Sequence, residues 1–218
     1  MKNFVIDLIL IALFVAELSF YYLPKILHEI LAIVAAVLII IHVGINFRRF
    51  LDLFKNMSPR KFFLVEVDIA LALGTVIIFV TGVCMSNYLF PDFAHYSLRR
   101  NMTIHNLHTS APYIMTILIG MHIGLHLREI KLKVLNYFGL EEIFQRRRKI
   151  FHAIILFLSA IGILGLFLNR FFDRILMKHI FSTPATDLPI GIFALMLIGG
   201  IIFFALLTYI AVKKFFKR

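Results

Sequence analysis

The chain has a single cysteine, Cys84, in 218 residues. One thiol excludes structural disulfides, the Cys-x-x-Cys-His site of covalent haem attachment, and thiolate-held iron–sulfur clusters, which normally need four cysteines. A redox centre in this chain must be non-covalent and held by nitrogen or by methionine. Cys84 itself reads as an inert helix residue. There is no Gly-x-G-x-x-Gly fingerprint, so hydride or substrate chemistry falls to partners. Charge is scarce too: 16% of residues are charged and 61% are hydrophobic, with mean hydropathy +0.93. Soluble domains are about 45–50% apolar, so these values describe an integral membrane protein. Basic residues outnumber acidic ones, 23 to 12. They lie between apolar runs and form no stripe, which argues against nucleic acid as a partner.

The apolar runs predict an all-α, polytopic membrane helix bundle of six spans. The first, residues 3–23, is too long for a signal-peptide core, and Phe-Tyr-Tyr at 20–22 is a poor cleavage site, so it reads as a retained helix. The others are 25–47, 62–88, 104–127, 150–169 and 189–212. Residues 48–61 form a basic loop. Residues 128–149 alternate apolar and charged at helical spacing and read as an amphipathic segment on the membrane surface. The connection 170–188 puts Phe172, Ile175, Leu176 and His179 on one helical face, also expected at the surface. The expected organisation is a four-helix core over 1–127, an amphipathic cytoplasmic connection over 128–149, and two further membrane helices over 150–218.

Seventeen of the 23 lysines and arginines fall on the side holding both termini, and six on the other. In short loops that asymmetry is the positive-inside signal, so both termini are expected in the cytoplasm. Spans two and four then run in parallel.

Those two spans carry one repeated pattern. Residues 27–44 read LHEILAIVAAVLIIIHVG and residues 107–124 read LHTSAPYIMTILIGMHIG. The pairs His28/His42 and His108/His122 are each 14 residues apart. At ~100° per residue, 14 steps fall about 40° short of four turns, so each pair shares one helix face. At ~1.5 Å rise they stand roughly 21 Å apart, one near each edge of a hydrocarbon core about 30 Å thick. Parallel helices pair His28 with His108 at the outer level and His42 with His122 at the inner level. Lone intramembrane histidines often serve as helix–helix hydrogen-bonders. Two matched pairs are better explained by two stacked metal centres.

Haem iron accepts two axial imidazoles, and filling both positions favours electron transfer over oxygen chemistry. Gly44 and Gly124, each two residues after an inner histidine, and Gly120 would admit a flat ring, although glycine is common in membrane helices anyway. Arg48, Arg49 and Arg128 inside, with Arg99 and Arg100 outside, would pair with propionates or simply mark topology. His105 and His126 are alternative ligands on span four, and Pro112 is expected to kink it near His108. His95, His105 and His179 would line an outer quinol pocket or face headgroups. Glu66 and Asp68 would carry protons or snorkel to the inner surface. His152 belongs to the basic boundary of span five.

His28-Glu29 with His42-Val43-Gly44, His105-x-x-His108 with His122-Ile123-Gly124-Leu125-His126, and Thr81-Gly82-Val83-Cys84-Met85-Ser86 together resemble bacterial membrane proteins of domain-of-unknown-function family 4405. The resemblance covers roughly residues 5–127. It implies a cytochrome b-like subunit of the bacterial cytoplasmic membrane with two b-type haems, passing electrons between quinone or quinol and an extracytoplasmic flavin or haem protein. A quinol donor would make the chain a quinol oxidoreductase component. Ferric-reductase-like carriers are an alternative, but they usually place the pairs on spans three and five and carry a nicotinamide–flavin domain. A histidine-lined metal-ion or proton transporter is another. Transition-metal sites cluster their ligands more tightly than 14 residues allow.

Overall fold

The computed structural model describes residues 2–93, 96–178 and 186–216, without the side chains of residues 2, 3 and 96. All regular structure in them is helical: α1 (Lys2–Leu18), a 3₁₀ turn at Phe20–Tyr22, α2 (Lys25–Leu53), α3 (Pro59–Met85), α4 (Tyr96–Arg99), α5 (Met102–Phe138), α6 (Glu141–Arg146), α7 (Arg148–Leu168), α8 (Phe171–Ile175) and α9 (Ile190–Phe215).

Five of these, α2, α3, α5, α7 and α9, are long and apolar enough to cross a membrane. The chain is a multi-pass membrane protein. α1 has 17 residues, about 26 Å of helix. Large apolar side chains on the outer faces are open, with Ile40 and Phe167 both 71% exposed. Exposure on that scale in consecutive apolar helices suits contact with lipid.

Helix ends follow local chemistry. Pro24 precedes α2 and Pro189 precedes α9, each supplying a fixed φ just before the first turn. The Ser58 hydroxyl accepts from Lys61 N at 3.3 Å, with Pro59 next to it at the start of α3. The Asn101 side chain accepts from Thr103 N and Ile104 N at 2.9 and 3.3 Å, satisfying two of the free donors that open α5.

Two expected boundaries move. α5 is one helix of 37 residues that runs through Pro112 and on to Phe138, so residue 127 is no boundary and 128–138 is no separate surface helix. It ends at Gly139, whose φ of 62° is the left-handed cap that glycine adopts most easily. α2 likewise continues to Leu53, leaving only a short turn before Ser58.

α5 is the hub. It packs against α3 on one side and α9 on another, and α9 packs closely on α7. The main core joins Val15 and Leu18 of α1 to Tyr113 of α5 and to Phe193, Leu197 and Phe204 of α9. The C-terminal helices are therefore built into the bundle rather than appended to it. Gly162 of α7 backs directly onto the Gly199 carbonyl group of α9, the close backbone approach that small residues permit between membrane helices.

α8 plugs the end of the bundle where α5 begins. Phe171 is 2% exposed and Arg174 3%. Arg174 Nε donates to Asn169 O at 3.2 Å, its guanidinium lies 5.1 Å from the Tyr113 ring centre, and Ser110 Oγ donates to Arg174 O at 2.7 Å. Burial pushes the Arg174 pKa below its ordinary value, against the pull of Tyr113. Phe172 and Leu176 share the outward face as expected, at 52% and 60% exposed, but Ile175, expected beside them, packs against the main core. The opposite face of this segment is core rather than surface. His179 lies outside the described residues.

α2 differs from the rest. None of its 29 residues is buried, and it leans on α1 and, more lightly, on α3. The helix carrying His28 and His42 is thus held by a few directed contacts rather than by packing.

Candidate functional site: two levels of histidine pairs

The helices alternate in direction, so α2 and α5 run in parallel and present their histidines in the same order. At the end where both helices begin, the His28 and His108 rings have centroids 6.3 Å apart and planes at 81°. With metal–imidazole bonds of about 2 Å, two rings on one ion have centroids roughly 6 Å apart. The spacing fits a shared axial pair. Phe20 flanks this level, its ring 5.6 Å from that of His28.

Each of the four histidines has an oxygen acceptor within 3.2 Å of its Nδ1, and for His108 and His122 that contact is a hydrogen bond. His28 Nδ1 stands 2.7 Å from Glu17 Oε2, and His42 Nδ1 2.9 Å from Asp7 Oδ1, both carboxylates on α1. These two are ion-pair distances without hydrogen-bond alignment, and His28 Nδ1 and Asp7 Oδ1 make no aligned hydrogen bond. His122 Nδ1 donates to Asp68 Oδ1 of α3 at 2.8 Å. His108 Nδ1 donates to Ile78 O at 3.2 Å and lies 3.1 Å from Thr81 Oγ1, whose own proton goes to Ile77 O at 2.6 Å.

A carbonyl can only accept, so His108 carries its proton on Nδ1 and bares the lone pair of Nε2. The Asp68 carboxylate imposes the same tautomer on His122. This is the arrangement in which a metal-bound histidine is oriented by the partner of its second nitrogen.

Buried polar atoms without a hydrogen bond gather here as well. Among the described residues they are Asp7 Oδ1, Glu17 Oε1, His28 Nδ1, His105 Nδ1 and Arg99 Nε. Native interiors leave few such atoms, and all five belong to the histidine levels or to α4 and the start of α5. No group of three or more potential metal-ligating side chains occurs among the described residues.

The other expected site residues fall in different places. Gly44 has open surroundings, with nothing within 4 Å of an added Cβ. Gly124 does not face the histidine levels. It backs onto Ala205 O, and an added Cβ would come 2.8 Å from Thr208 Cβ of α9, so helix packing explains it, and the same holds for Gly120. The glycine beside a histidine is Gly82, where a Cβ would meet His108 Cε1 at 3.2 Å. Arg48, Arg128 and Arg100 are exposed and Arg99 is half-buried, with Arg99 Nη2 donating to Pro91 O at 3.0 Å. His126 lies beside His122, ring centroids 4.9 Å apart, with Glu129 at 3.7 Å. Glu66 and His152 are exposed. His95 lies outside the described residues.

Two contributors escaped the sequence reading. The first is the set Asp7, Glu17 and Thr81. The only sequence signal was the presence of acids inside an apolar span, where an ionisable group is costly and functional by default. The second is Glu29, next to His28. Its carboxylate accepts from the Ser86 hydroxyl at 2.8 Å and from Asn87 N, Tyr88 N and Leu89 N at 2.9, 3.2 and 2.8 Å. One side chain thereby ties the start of α2 to the end of α3. Hydrogen bonds to a charged group contribute about 1.5–3 kcal/mol each in favourable settings. Glu29→Ala should therefore release the 86–89 turn, read as faster proteolysis at that loop. Unchanged cleavage would show that the clasp does not hold it. The chain matches no family model, no curated protein and no solved structure.

Proposed function

We propose that the chain is a membrane-embedded di-haem cytochrome of the b type. It carries electrons across the membrane between quinone or quinol and an extracytoplasmic flavin or haem protein. The carrying observation is the His28 and His108 ring pair, centroids 6.3 Å apart, with an oxygen acceptor within 3.2 Å of Nδ1 on each of the four histidines. In this reading His28 and His108 hold one haem and His42 and His122 the other, each haem supplying a one-electron iron couple. α1 serves as a sixth span. Its carboxylates orient the α2 histidines, and α3 orients those of α5. The lysine and arginine asymmetry supports cytoplasmic termini, with the His28/His108 level outside, and the membrane is read as bacterial from the family resemblance. Kinship with family 4405 belongs to the same reading. Arg48 and Arg128 inside, and Arg99 and Arg100 outside, supply cations for propionates.

Bis-imidazole ligation leaves the iron no open position, which favours electron carriage over oxygen chemistry. Moving one charge across the full membrane is worth about 2.3 kcal/mol per 100 mV, so such a carrier couples redox chemistry to the membrane potential. The test is a liposome with the protein in its wall, a quinol outside and ferricyanide trapped inside. Reduction of the trapped acceptor that depends on the protein is expected. Quinol oxidation no faster than in empty liposomes would contradict the proposal.

A further inference from the structure

We propose that Asp68 makes the two levels electronically unequal, so that His42 and His122 hold iron at a lower potential than His28 and His108. The inference rests on the two-haem reading and adds an order of potentials to it.

On the α1 side the levels match. Glu17 faces His28 at 2.7 Å and Asp7 faces His42 at 2.9 Å, a carboxylate at ion-pair distance in each case. On the α3 side they do not. α3 runs antiparallel to α5, so its end meets His108 and its beginning meets His122. His108 finds a neutral hydroxyl and a neutral carbonyl, Thr81 and Ile78, at 3.1 and 3.2 Å. His122 finds the Asp68 carboxylate at 2.8 Å.

A charged acceptor makes a hydrogen bond roughly twice as strong as a neutral one. It draws the Nδ1 proton toward itself and raises the basicity of the ring as a ligand. A more basic imidazole donates more electron density through Nε2 and favours ferric over ferrous iron, and ligand hydrogen bonding is one of the levers that set such potentials. Cations stand near both levels, with Arg60 Nη2 donating to Leu125 O at 3.1 Å at the inner end and Arg99 Nη2 to Pro91 O at 3.0 Å at the outer end. The order of potentials gives one electron a downhill direction. With haem bound, His42 and His122 would hold the centre that gives up one electron and His28 and His108 the centre that takes it up.

Potentiometric titration of the purified full chain tests this. Two one-electron waves are expected, and His42→Ala should remove the lower one. Asp68→Asn should raise the lower midpoint and leave the upper in place, while Thr81→Val should move only the upper. Loss of the upper wave in His42→Ala would overturn the inference, as would an unchanged lower midpoint in an Asp68→Asn protein that keeps both haems. If Asp68→Asn sheds the inner haem, the wave missing from His42→Ala still decides the order. A wild-type protein without haem would instead sink the functional reading on which the inference stands.

Discussion

Replacing His28 by alanine should remove one of two haems and leave the other, and replacing His108 should remove the same one. The two rings stand 6.3 Å apart, so either substitution strips one axial ligand from a shared centre. Losing a direct ligand exceeds the roughly 10–100-fold cost in affinity of losing only its hydrogen-bond partner. Haem at that level should fall below detection after detergent purification. His42→Ala and His122→Ala should together define the other haem. If the histidines served only to bond helices, each loss would cost about 0.6 kcal/mol, at most about 1.7. The absorption spectrum would then stay unchanged. Difference spectra of the four variants separate these outcomes, and loss of different haems from His28→Ala and His108→Ala would break the pairing.

The second large effect lies far from the histidines. A side chain at Gly162 has no place to go, since its Cβ would sit on the Gly199 carbonyl and Gly200 N of α9. Overpacking a core costs typically about 1–3 kcal/mol, and more where backbone has to move. Gly162→Leu should therefore cost at least about 3 kcal/mol and force α7 from α9, seen as a large drop in the thermal midpoint in detergent. Gly191→Ala is the control, because nothing lies within 4 Å of an added Cβ there. A Gly162→Leu protein as stable as that control would refute the packing. α9 also packs on α5, so the damage should reach the helix that carries His108 and His122.

Much of this arrangement was legible in the sequence because the signals were local. Apolar runs gave the long helices, and the 14-residue spacing gave two same-face pairs. Chain direction brought α2 and α5 into parallel, which is why His28 met His108. Other features depend on which helix lies across the way. Gly124 and Gly82 look alike in sequence, yet one touches Ala205 and the other His108. Asp68 read equally well as a snorkelling acid until α5 was placed beside it. The 128–138 stretch alternates in a way that suits both a surface helix and the continuation of a membrane helix, and the first residue to break it is Gly139. In α8 the shared face of Phe172 and Leu176 was visible, but periodicity could not say that Phe171 and Arg174 opposite would be core.

Haem content is the decisive measurement. The full chain, expressed with ample haem and purified in detergent, should give a reduced-minus-oxidised spectrum of b type and two haems per polypeptide by pyridine haemochrome assay. A colourless protein from the same preparation would contradict it.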